Sequence, residues 1–384
     1  MYGGPVRSIS SLYEAIARLG TQVTLLTTDA NSSGRVDVPL RRPVEVEGVT
    51  VWYFPCLMKD SFFYSPELAQ AFKSVVGQYD LAVLEGLWAH AMGPAVAACR
   101  RFRVPYVIPL RGQLLPWSLR QKRLKKLLYL ALFGQRYLNN AAALHCTDQV
   151  EAEAAAAFGF GTPLFVVPNG VDISRFKNLP VKGTLRRLRG ITPESVVLLF
   201  VGRLHRKKRP DIAVESLAAV ASSGREVHLL LAGSDDEGLA PRIQAQAQKL
   251  GYNQAIHLLG LMQGEEILQA YADADLLLMP SEPESENFGM AAVEAMAAGL
   301  PILVSDGVPV GRWAEAAGAG RMVPCSAEAF AEAVRDLLAK PELLKSMGQK
   351  SRTLVRERFD IGVVASQMLE QFQAIITMGN PLPE

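Results

Sequence analysis

The sequence contains little cysteine and no long apolar run. The four cysteines have no C-x-x-C spacing and lie far apart, at Cys56, Cys99, Cys146 and Cys325. This arrangement argues against a zinc knuckle, a redox motif or a disulfide framework. No apolar stretch approaches the roughly 18 residues that a membrane-spanning helix needs, and no basic segment followed by an apolar one opens the chain. We therefore expect a cytoplasmic protein, soluble or bound peripherally at the inner face of the plasma membrane.

Two common phosphate-binding patterns are also absent. Neither a G-x-G-x-x-G fingerprint nor a Walker loop occurs, although FGFGTP at 158–163 begins like the first. Hydride transfer and phosphoryl transfer therefore lose their usual sequence support. The acidic run at 235–237 lacks the further oxygen ligands of a calcium loop.

The length and composition are those of an ordinary globular protein. At 384 residues the chain exceeds the usual size of a single core, which predicts two domains. Hydrophobic residues make up 49% and charged residues 20%, and no fixed-period repeat is present. Residues 1–176 carry 18 basic and 13 acidic side chains, so this half favours anionic partners. We expect no nucleic-acid partner.

Short apolar runs alternate with helix-patterned segments, which predicts an α/β fold with parallel sheets. A first series of runs lies at 23–28, 81–86, 104–110 and 164–169. A second series lies at 196–203, 227–234, 255–260, 275–281 and 301–306. The segment 173–195 is rich in glycine, proline and basic residues and is typical of a linker. The pattern predicts two Rossmann-like doubly wound domains facing a cleft, an N-terminal domain at 1–175 and a C-terminal domain at 176–360. We expect a helix at about 361–378 to pack back on the N-terminal domain.

The start of the chain departs from this pattern. It opens on YGGPVRSIS, a glycine turn running into a helix, with no strand before it. Doubly wound domains normally begin with such a strand, and its loss would expose two hydrogen-bonding edges. We therefore expect the first strand to be missing, as from a truncated gene model or a late start codon.

The most informative segment is PSEPESENFGMAAVEAMAAGLPILVSD at 280–306. It predicts a strand end, an acidic loop and a helix over 290–298, with Asn287 as its cap and Gly299 after its last turn. Glu286 and Glu294 are eight residues apart, which on one continuous helix means about 12 Å. Paired hydrolytic carboxylates stand roughly 5 to 9.5 Å apart, so this pair suits two parts of one long ligand better. The alternative is that both glutamates are solvated charges at helix ends.

A second motif, VGRLHRKKRP at 201–210, places cations directly after a strand. Arg203 and Lys208 would meet at the carboxyl end of that strand, where doubly wound sheets bind their ligands. Fixed cations there can neutralise a diphosphate without a metal ion. The remaining basic residues of the motif are expected to be surface charges, namely Arg206, Lys207 and Arg209.

In these motifs the chain resembles the GT-B glycosyltransferases of the glycosyltransferase group 1 family, which are retaining enzymes. The matching segments cover nearly the whole length and are 3–9, 167–172, 202–208 and 286–294. The resemblance implies that Glu286 contacts the donor hexose, that Glu294 holds the ribose hydroxyls, and that Arg203 and Lys208 bind the diphosphate.

The same resemblance implies softer assignments in both domains. In the C-terminal domain, the backbone around Asn287, Phe288 and Gly289 would meet the sugar phosphate. Leu261 would lie by the nucleotide base. In the N-terminal domain, Gly3 and Gly4 match a glycine loop that closes on the phosphates, where a missing side chain permits close backbone approach. An ordinary turn is the alternative for these two glycines.

The N-terminal domain also carries candidate acceptor-side residues. Trp88 could stack on a sugar ring and His90 could hydrogen-bond it, although core packing is the favoured alternative for Trp88. Arg111 stands where many relatives of the resembled family carry an active-site histidine. The basic, leucine-rich stretch 117–138 could lie on an anionic membrane, or it could be an ordinary helix with one core face and one solvated face.

We expect neither a metal nor a cofactor, with a nucleotide-diphosphate sugar as the donor substrate. The D-x-D of Asp273 and Asp275 resembles a metal site but directly precedes a buried strand, and so is expected to end a helix. The function predicted is hexosyl transfer to a glycan or lipid-linked acceptor in bacterial polysaccharide or lipopolysaccharide assembly. The alternatives are a sugar-nucleotide epimerase of GT-B shape and a non-catalytic protein that binds sugar nucleotides.

Overall fold

The structure is a computed structural model. It describes residues 4–31, 34–58, 62–222 and 224–378, with side chains from residue 7 onward. The chain forms two compact units, one comprising Met1–Gly170 with Ile361–Glu384 and the other Val171–Asp360. The division lies between Gly170 and Val171, where the sequence analysis places it at 175.

The first unit contains nine strands, seven helices and a returning helix described below, within the described residues. Its strands are β1 Thr24–Thr28, β2 Ala30–Asn31, β3 Gly34–Arg35, β4 Pro43–Val46, β5 Val49–Phe54, β6 Ala82–Val83, β7 Tyr106–Pro109, β8 Ala143–Cys146 and β9 Leu164–Val166. Its helices are α1 Gly4–Arg18, α2 Pro66–Val75, α3 Met92–Phe102, α4 Pro116–Arg120, α5 Arg123–Tyr129, α6 Gln135–Asn139 and α7 Gln149–Ala156. A π-helical turn, Leu130–Gly134, joins α5 to α6.

The larger strands of this unit form two separate sheets. One sheet has the order β1-β5-β4 and the other the order β6-β7-β8-β9, with all neighbours parallel except β5 and β4. Consequently β1 and β6 are each the end strand of a sheet. In the part of the chain that the structure describes, the first strand is β1, and α1 precedes it. Side chains from α1, β5 and β7 share one apolar core, among them Leu12, Ile16, Val51 and Val107.

The second unit has a single six-stranded parallel sheet in its described residues. The strands are β10 Val196–Val201, β11 Val227–Ala232, β12 Ile256–Gly260, β13 Leu276–Met279, β14 Ile302–Ser305 and β15 Gly320–Val323. The helices are α8 Thr184–Leu188, α9 Pro210–Ala221, α10 Ala240–Leu250, α11 Glu265–Asp273, α12 Met290–Ala298, α13 Val310–Ala316, α14 Ala327–Leu338 and α15 Pro341–Leu354.

The strand order of this sheet locates a ligand crevice. The order is β12-β11-β10-β13-β14-β15, so the direction of chain progression reverses between β10 and β13. Doubly wound sheets bind ligands outside the carboxyl ends of the strands at such a reversal. Alternate side chains of β10 enter opposite cores, Val197 and Leu199 on one face of the sheet and Leu198 and Phe200 on the other. Both faces are therefore covered, as the continuous apolar run of β10 predicts.

The chain returns to the first unit through its last described helix, α16 Ile361–Thr377. One face of α16 packs on α1, with Val364 and Met368 buried in the same core as Leu12 and Ile16. The first unit is thus built from two separate segments of the chain, and the second from one.

Two histidines, one buried and one half-buried, predict how stability depends on pH. Burial lowers the pKa of His145 to about 3 and, with the charges of His228 and Arg189 adding to it, that of His257 to about 4. Between pH 6.5 and 4 the unfolded chain binds protons that the folded chain excludes. As the pH is lowered through this range, the free energy of unfolding should therefore decrease by up to about 1.4 kcal/mol per pH unit for each histidine.

Urea unfolding at a series of pH values between 7 and 4 measures this slope. His257→Asn should unfold with a shallower slope than the wild type below pH 6.5, because it removes one of the two groups. Equal slopes for the two proteins would contradict the assignment of His257.

Candidate functional site

The loops that follow three neighbouring strands of the second unit are tied together at one edge of its sheet. The amide of Gly202 donates to the carbonyl of Ala232 at 2.9 Å, and the amide of Leu204 donates to Ser234 at 2.8 Å. The amide of Gly233 donates to the carbonyl of Gly260, also at 2.8 Å. These bonds join the carboxyl ends of β10, β11 and β12 and hold the backbone that presents the basic motif.

The two predicted cations of that motif have different environments. Arg203 is 54% exposed and makes only a long contact to Asp236, at 3.5 Å. Lys208 ends a 3-10 turn, Arg206–Lys208, and forms a close ion pair with Glu286. The turn begins where a ring nitrogen of His205 accepts the amide of Lys207. Arg203 is therefore accessible to an anion, whereas Lys208 already has a partner.

Glu286 is a buried, ionised carboxylate. Its exposed fraction is 8%, and the hydroxyl of Ser281 donates to it at 3.1 Å. Burial alone would raise the pKa of the Glu286 carboxyl, but the ammonium of Lys208, together with Lys207 and the hydroxyl of Ser281, outweighs this effect. The pKa of Glu286 therefore lies below its ordinary value. An ionised carboxylate in this position can accept hydrogen bonds from the hydroxyls of a ligand.

The helix α12 begins at Met290 and its N-cap residue is Gly289, not Asn287, so the predicted asparagine cap is wrong. Gly289 has a φ of +104°, and a Cβ there would lie 2.7 Å from a methyl group of Val308. Both its conformation and its surroundings therefore require glycine. Glu286 consequently lies in the loop before the helix, and only Glu294 is on α12. Glu294 accepts a hydrogen bond of 3.0 Å from the hydroxyl of Tyr271.

Phe288 and Leu261, two further residues of the predicted donor site in the second unit, differ in exposure. The side chain of Phe288 is buried and packs edge-to-face against Phe359, with ring centroids 5.6 Å apart. Its carbonyl accepts the amide of Val310 at 3.1 Å. Leu261 follows β12 directly and is 63% exposed.

The prediction that Lys207 is a surface charge is wrong, whereas Arg206 is exposed as expected and the side chain of Arg209 is 32% exposed. The Lys207 ammonium donates to the carbonyl of Ser285 at 3.3 Å, and burial lowers its pKa. Arg209 is partly buried and pairs with Asp211 at 2.7 Å. Adjacent basic residues look alike in the sequence, so nothing in the motif separates Lys207 from the exposed Arg206 beside it.

Asp273 and Asp275 are fully engaged in the structure of the second unit. Asp273 is the last residue of α11, as predicted, and accepts the amides of Leu185 at 2.6 Å and Arg186 at 3.2 Å. Asp275 accepts hydrogen bonds of 2.7 Å from both Lys182 and Arg186. These carboxylates hold α8 against the sheet.

In the first unit, Arg111 belongs to a buried polar group at the carboxyl end of β7. It has a φ of +44° and donates two hydrogen bonds of 2.8 Å to Glu85 and one of 3.1 Å to Asn169. Burial lowers the pKa of Arg111, but the Glu85 carboxylate raises it more, so the net shift is upward. Sequence analysis missed Glu85 because the two residues are 26 positions apart. The bidentate pair fixes the guanidinium in one orientation.

The structure places Trp88 and His90 in an aromatic cluster near this edge. Trp88 packs against the core of the first unit and meets Tyr129 edge-on, with the two ring centroids 5.5 Å apart. The Lys126 ammonium lies 5.2 Å from the centroid of the Trp88 ring. His90 meets Tyr64 edge-on at 4.4 Å. Trp88 Nε1 and His90 Nδ1 are buried without a hydrogen-bond partner among the described residues. Gly4 opens α1, and Gly3 lies outside the described residues.

The basic stretch 117–138 is not one helix, because α4, α5, the π-helical turn and α6 divide it. Its surface is nonetheless amphipathic. Exposed apolar side chains include Leu124, Leu128, Leu132 and Phe133, with exposed fractions from 49% to 83%. Exposed basic residues lie among them, and no acidic residue occurs between Gly86 and Thr147. We call this surface the basic apolar face. No helix in the described part of the chain is long and apolar enough to span a membrane.

Two family models match the chain. The model of the glycosyl transferases group 1 matches residues 182–354, and that of the glycosyl transferase 4-like domain matches residues 3–170. The D-inositol 3-phosphate glycosyltransferase of Segniliparus rotundus is 31% identical over 241 residues, which cover 61% of this chain and 53% of that protein. The chain thus spans about half the length of the curated relatives it matches.

Solved structures resemble the chain over nearly its full length. Anabaena HepE, in complex with UDP and glucose, has a TM-score of 0.75 at 21% identity, covering 97% of this chain and 98% of that one. WaaG, a glycosyltransferase involved in lipopolysaccharide biosynthesis, has a TM-score of 0.67 at 18% identity, covering 97% and 96%. At these identities the similarities establish the fold alone, and they confirm the predicted GT-B fold class.

The buried pair of Lys208 and Glu286 gives a prediction that does not depend on function. Lys208→Met should lower the free energy of unfolding by roughly 3 kcal/mol, because it leaves a buried carboxylate without its cation. The double variant Lys208→Met/Glu286→Gln should lose much less. Urea unfolding of the four proteins at neutral pH gives the coupling between the two residues.

Arg321→Met is the matched control, since it breaks an exposed pair with Asp336 and should change stability by less than about 1 kcal/mol. If the losses of the two single variants simply added in the double variant, the pair would contribute nothing as a unit.

Proposed function

This chain belongs to the glycosyltransferase group 1 family, and we propose that it transfers a hexosyl group from a nucleotide-diphosphate sugar to a glycan or lipid-linked acceptor. The observation that carries the proposal is the buried, ionised Glu286 paired with Lys208 at the carboxyl end of β10. A carboxylate held there by a cation can bind sugar hydroxyls, and a second cation, Arg203, lies exposed on the same strand end.

We assign the donor to the second unit, where different residues would contact its diphosphate, hexose, ribose and base. Arg203 and Lys208 would neutralise the diphosphate, and the first amides of α12 add the positive end of its dipole. Glu286 would accept hydroxyls of the hexose. Glu294, oriented by Tyr271, would accept those of the ribose. Leu261 would cover the base, as an exposed apolar side chain after β12 can.

The chemistry we propose is retaining and needs no metal. The acceptor oxygen would bond to the anomeric carbon on the face from which the diphosphate leaves, and a phosphate oxygen would take the acceptor proton. Negative charge then develops on the leaving group, where Arg203 and Lys208 stabilise it by fixed electrostatics. The carboxylates of the D-x-D are already bonded within the fold, so they are poor candidates for metal ligands.

We assign the acceptor to the first unit. Arg111, held by Glu85, supplies a fixed cation at the carboxyl end of β7, and the cluster of Trp88 and His90 supplies aromatic surface for a sugar ring. The similarity to WaaG supports a role in polysaccharide or lipopolysaccharide assembly. The similarity to inositol phosphate glycosyltransferases supports a second acceptor class, a phosphorylated cyclitol, which the basic first half of the chain would also suit.

We further propose that the basic apolar face rests on an anionic bilayer and holds the protein near a lipid-linked acceptor. Its exposed leucines and Phe133 would enter the boundary between headgroups and acyl chains, and its basic residues would meet anionic headgroups. Each such residue contributes about 1 kcal/mol near an anionic surface. The absence of acidic residues from Gly86 to Thr147 favours this partner over a protein of mixed charge.

The donor assignment predicts the behaviour of Glu286→Ala. Among UDP-, GDP- and ADP-sugars, one should stabilise the wild type thermally, by about 2.7 kcal/mol at 100 times its Kd. With that donor and lipopolysaccharide-type or inositol phosphate acceptors, Glu286→Ala should lose roughly 100-fold or more in turnover, and EDTA should leave the wild-type rate unchanged.

Glu332→Ala, an exposed glutamate on α14, is the control and should retain wild-type turnover. Epimerised donor in place of transferred hexose would support the epimerase alternative. Donor binding without transfer or hydrolysis would support a non-catalytic protein. Unchanged turnover in Glu286→Ala would refute the role given to that residue.

The membrane assignment predicts binding to vesicles of phosphatidylglycerol and phosphatidylcholine, but not of phosphatidylcholine alone. Leu128→Ser/Leu132→Ser should weaken this binding about tenfold or more, because each leucine loses its apolar burial in the bilayer. Leu188→Ser, on the 76% exposed leucine of α8, is the matched control and should bind as the wild type does. Co-sedimentation at low and high salt measures the effect, and equal binding to both kinds of vesicle would contradict it.

A further inference from the structure

We propose that Lys207 is a positioning residue that holds the acidic loop 282–286 in the conformation in which Glu286 meets the donor hexose. The inference rests on the proposed function, since it concerns the same donor site. It adds a residue that no motif identifies, because the sequence gives Lys207 the same character as the exposed Arg206 beside it.

Lys207 is bonded to the acidic loop through both its backbone and its side chain. The amide of Glu282 donates to the carbonyl of Lys207 at 2.8 Å, and the hydroxyl of Ser285 lies 3.4 Å from the same carbonyl. The Lys207 ammonium donates in turn to the carbonyl of Ser285 at 3.3 Å. One residue therefore contacts the start and the end of the segment that leads into Glu286.

The acidic loop is confined from a second side as well. A Cβ on Gly307 would lie 2.6 Å from the Cα of Pro283 and 2.8 Å from the carbonyl oxygen of Glu282, so backbone meets backbone there. Within the loop, Glu284 has a φ of +60°, a conformation that is uncommon for a residue with a side chain. Such a conformation persists only where surrounding contacts maintain it. Lys207 contacts Glu282 and Ser285, which lie on either side of Glu284 in the chain.

The charge of Lys207 acts on the same carboxylate as Lys208. Lys208 makes the close ion pair with Glu286, and Lys207 adds a more distant attraction that helps to keep the pKa of Glu286 low. Burial meanwhile lowers the pKa of Lys207 itself. Burying part of a cation is unfavourable, and the hydrogen bond from the Lys207 ammonium to the carbonyl of Ser285 offsets part of that cost.

The two parts of the donor should therefore respond differently to a change at Lys207. In our assignment a nucleoside diphosphate without sugar meets Arg203, Lys208 and Glu294, none of which belongs to the acidic loop. The hexose meets Glu286, whose backbone continues that loop. Loosening the loop should weaken UDP-glucose binding while leaving UDP binding nearly intact, a difference that a general loss of fold would not produce.

The test compares Lys207→Met with Lys207→Arg and with Arg206→Met, the control that removes an exposed cation from the same turn. Hydrogen exchange of residues 282–289 reports loop order directly, and calorimetry gives the Kd for UDP and for UDP-glucose. Lys207→Met should exchange faster in this segment and bind UDP-glucose about tenfold more weakly, the loss expected for one charge-assisted hydrogen bond. Lys207→Arg should recover most of both, and Arg206→Met should match the wild type.

Protection of β10 and β11 shows whether each variant is folded, and Lys207→Gln replaces Lys207→Met if that protection is lost. If Lys207→Met matched Arg206→Met in the exchange of residues 282–289, the inference would be overturned, whatever the protein binds. If the wild type bound neither UDP-glucose nor another sugar nucleotide, the donor assignment would fail, while the exchange comparison would still decide the role of Lys207.

Discussion

The proposed donor site depends on one interaction, the ion pair of Lys208 with Glu286. A buried carboxylate is strongly unfavourable unless a cation meets it, and here the cation follows β10 while the carboxylate follows β13. These strands are neighbours only because the sheet reverses its order between them. The pair therefore needs the complete doubly wound topology, and in turn it ties together the two loops from which the rest of the site extends.

The two units meet the need for a fixed polar site in different ways. The second unit has a continuous six-stranded parallel sheet, so the loops that follow neighbouring strands lie at the same edge of the sheet. The first unit has its strands in two sheets and concentrates its charge in the pair of Arg111 and Glu85, with Arg111 in a left-handed conformation. In the first unit the cation is therefore positioned by the backbone conformation of one residue, Arg111, whereas in the second unit the cations belong to the motif at 201–210.

Sequence reasoning succeeded where one local pattern determines structure. The helix α12 ends at Ala298, and Gly299 follows it with a φ of +87°, as a glycine after an alanine-rich helix predicts. The amide of Gly299 donates to the carbonyls of Ala295 and Met296. Reasoning failed where the partner lies far along the chain. Glu85 and the burial of Lys207 depend on contacts across 26 and 78 residues. The strand β8, which runs on from an alanine stretch, lacks the bulky apolar pattern that marks a strand.

The first unit is built from two separate segments of the chain, and this affects when it can fold during synthesis. Its core includes α16, which packs on α1, so residues from both ends of the chain must be present before that core is complete. The second unit occupies one uninterrupted segment, Val171–Asp360. Domains generally fold as units in the order of their synthesis on the ribosome. The second unit can therefore reach its native state before the first unit is complete. Until α16 has been synthesised, the apolar surface of α1 stays without its partner.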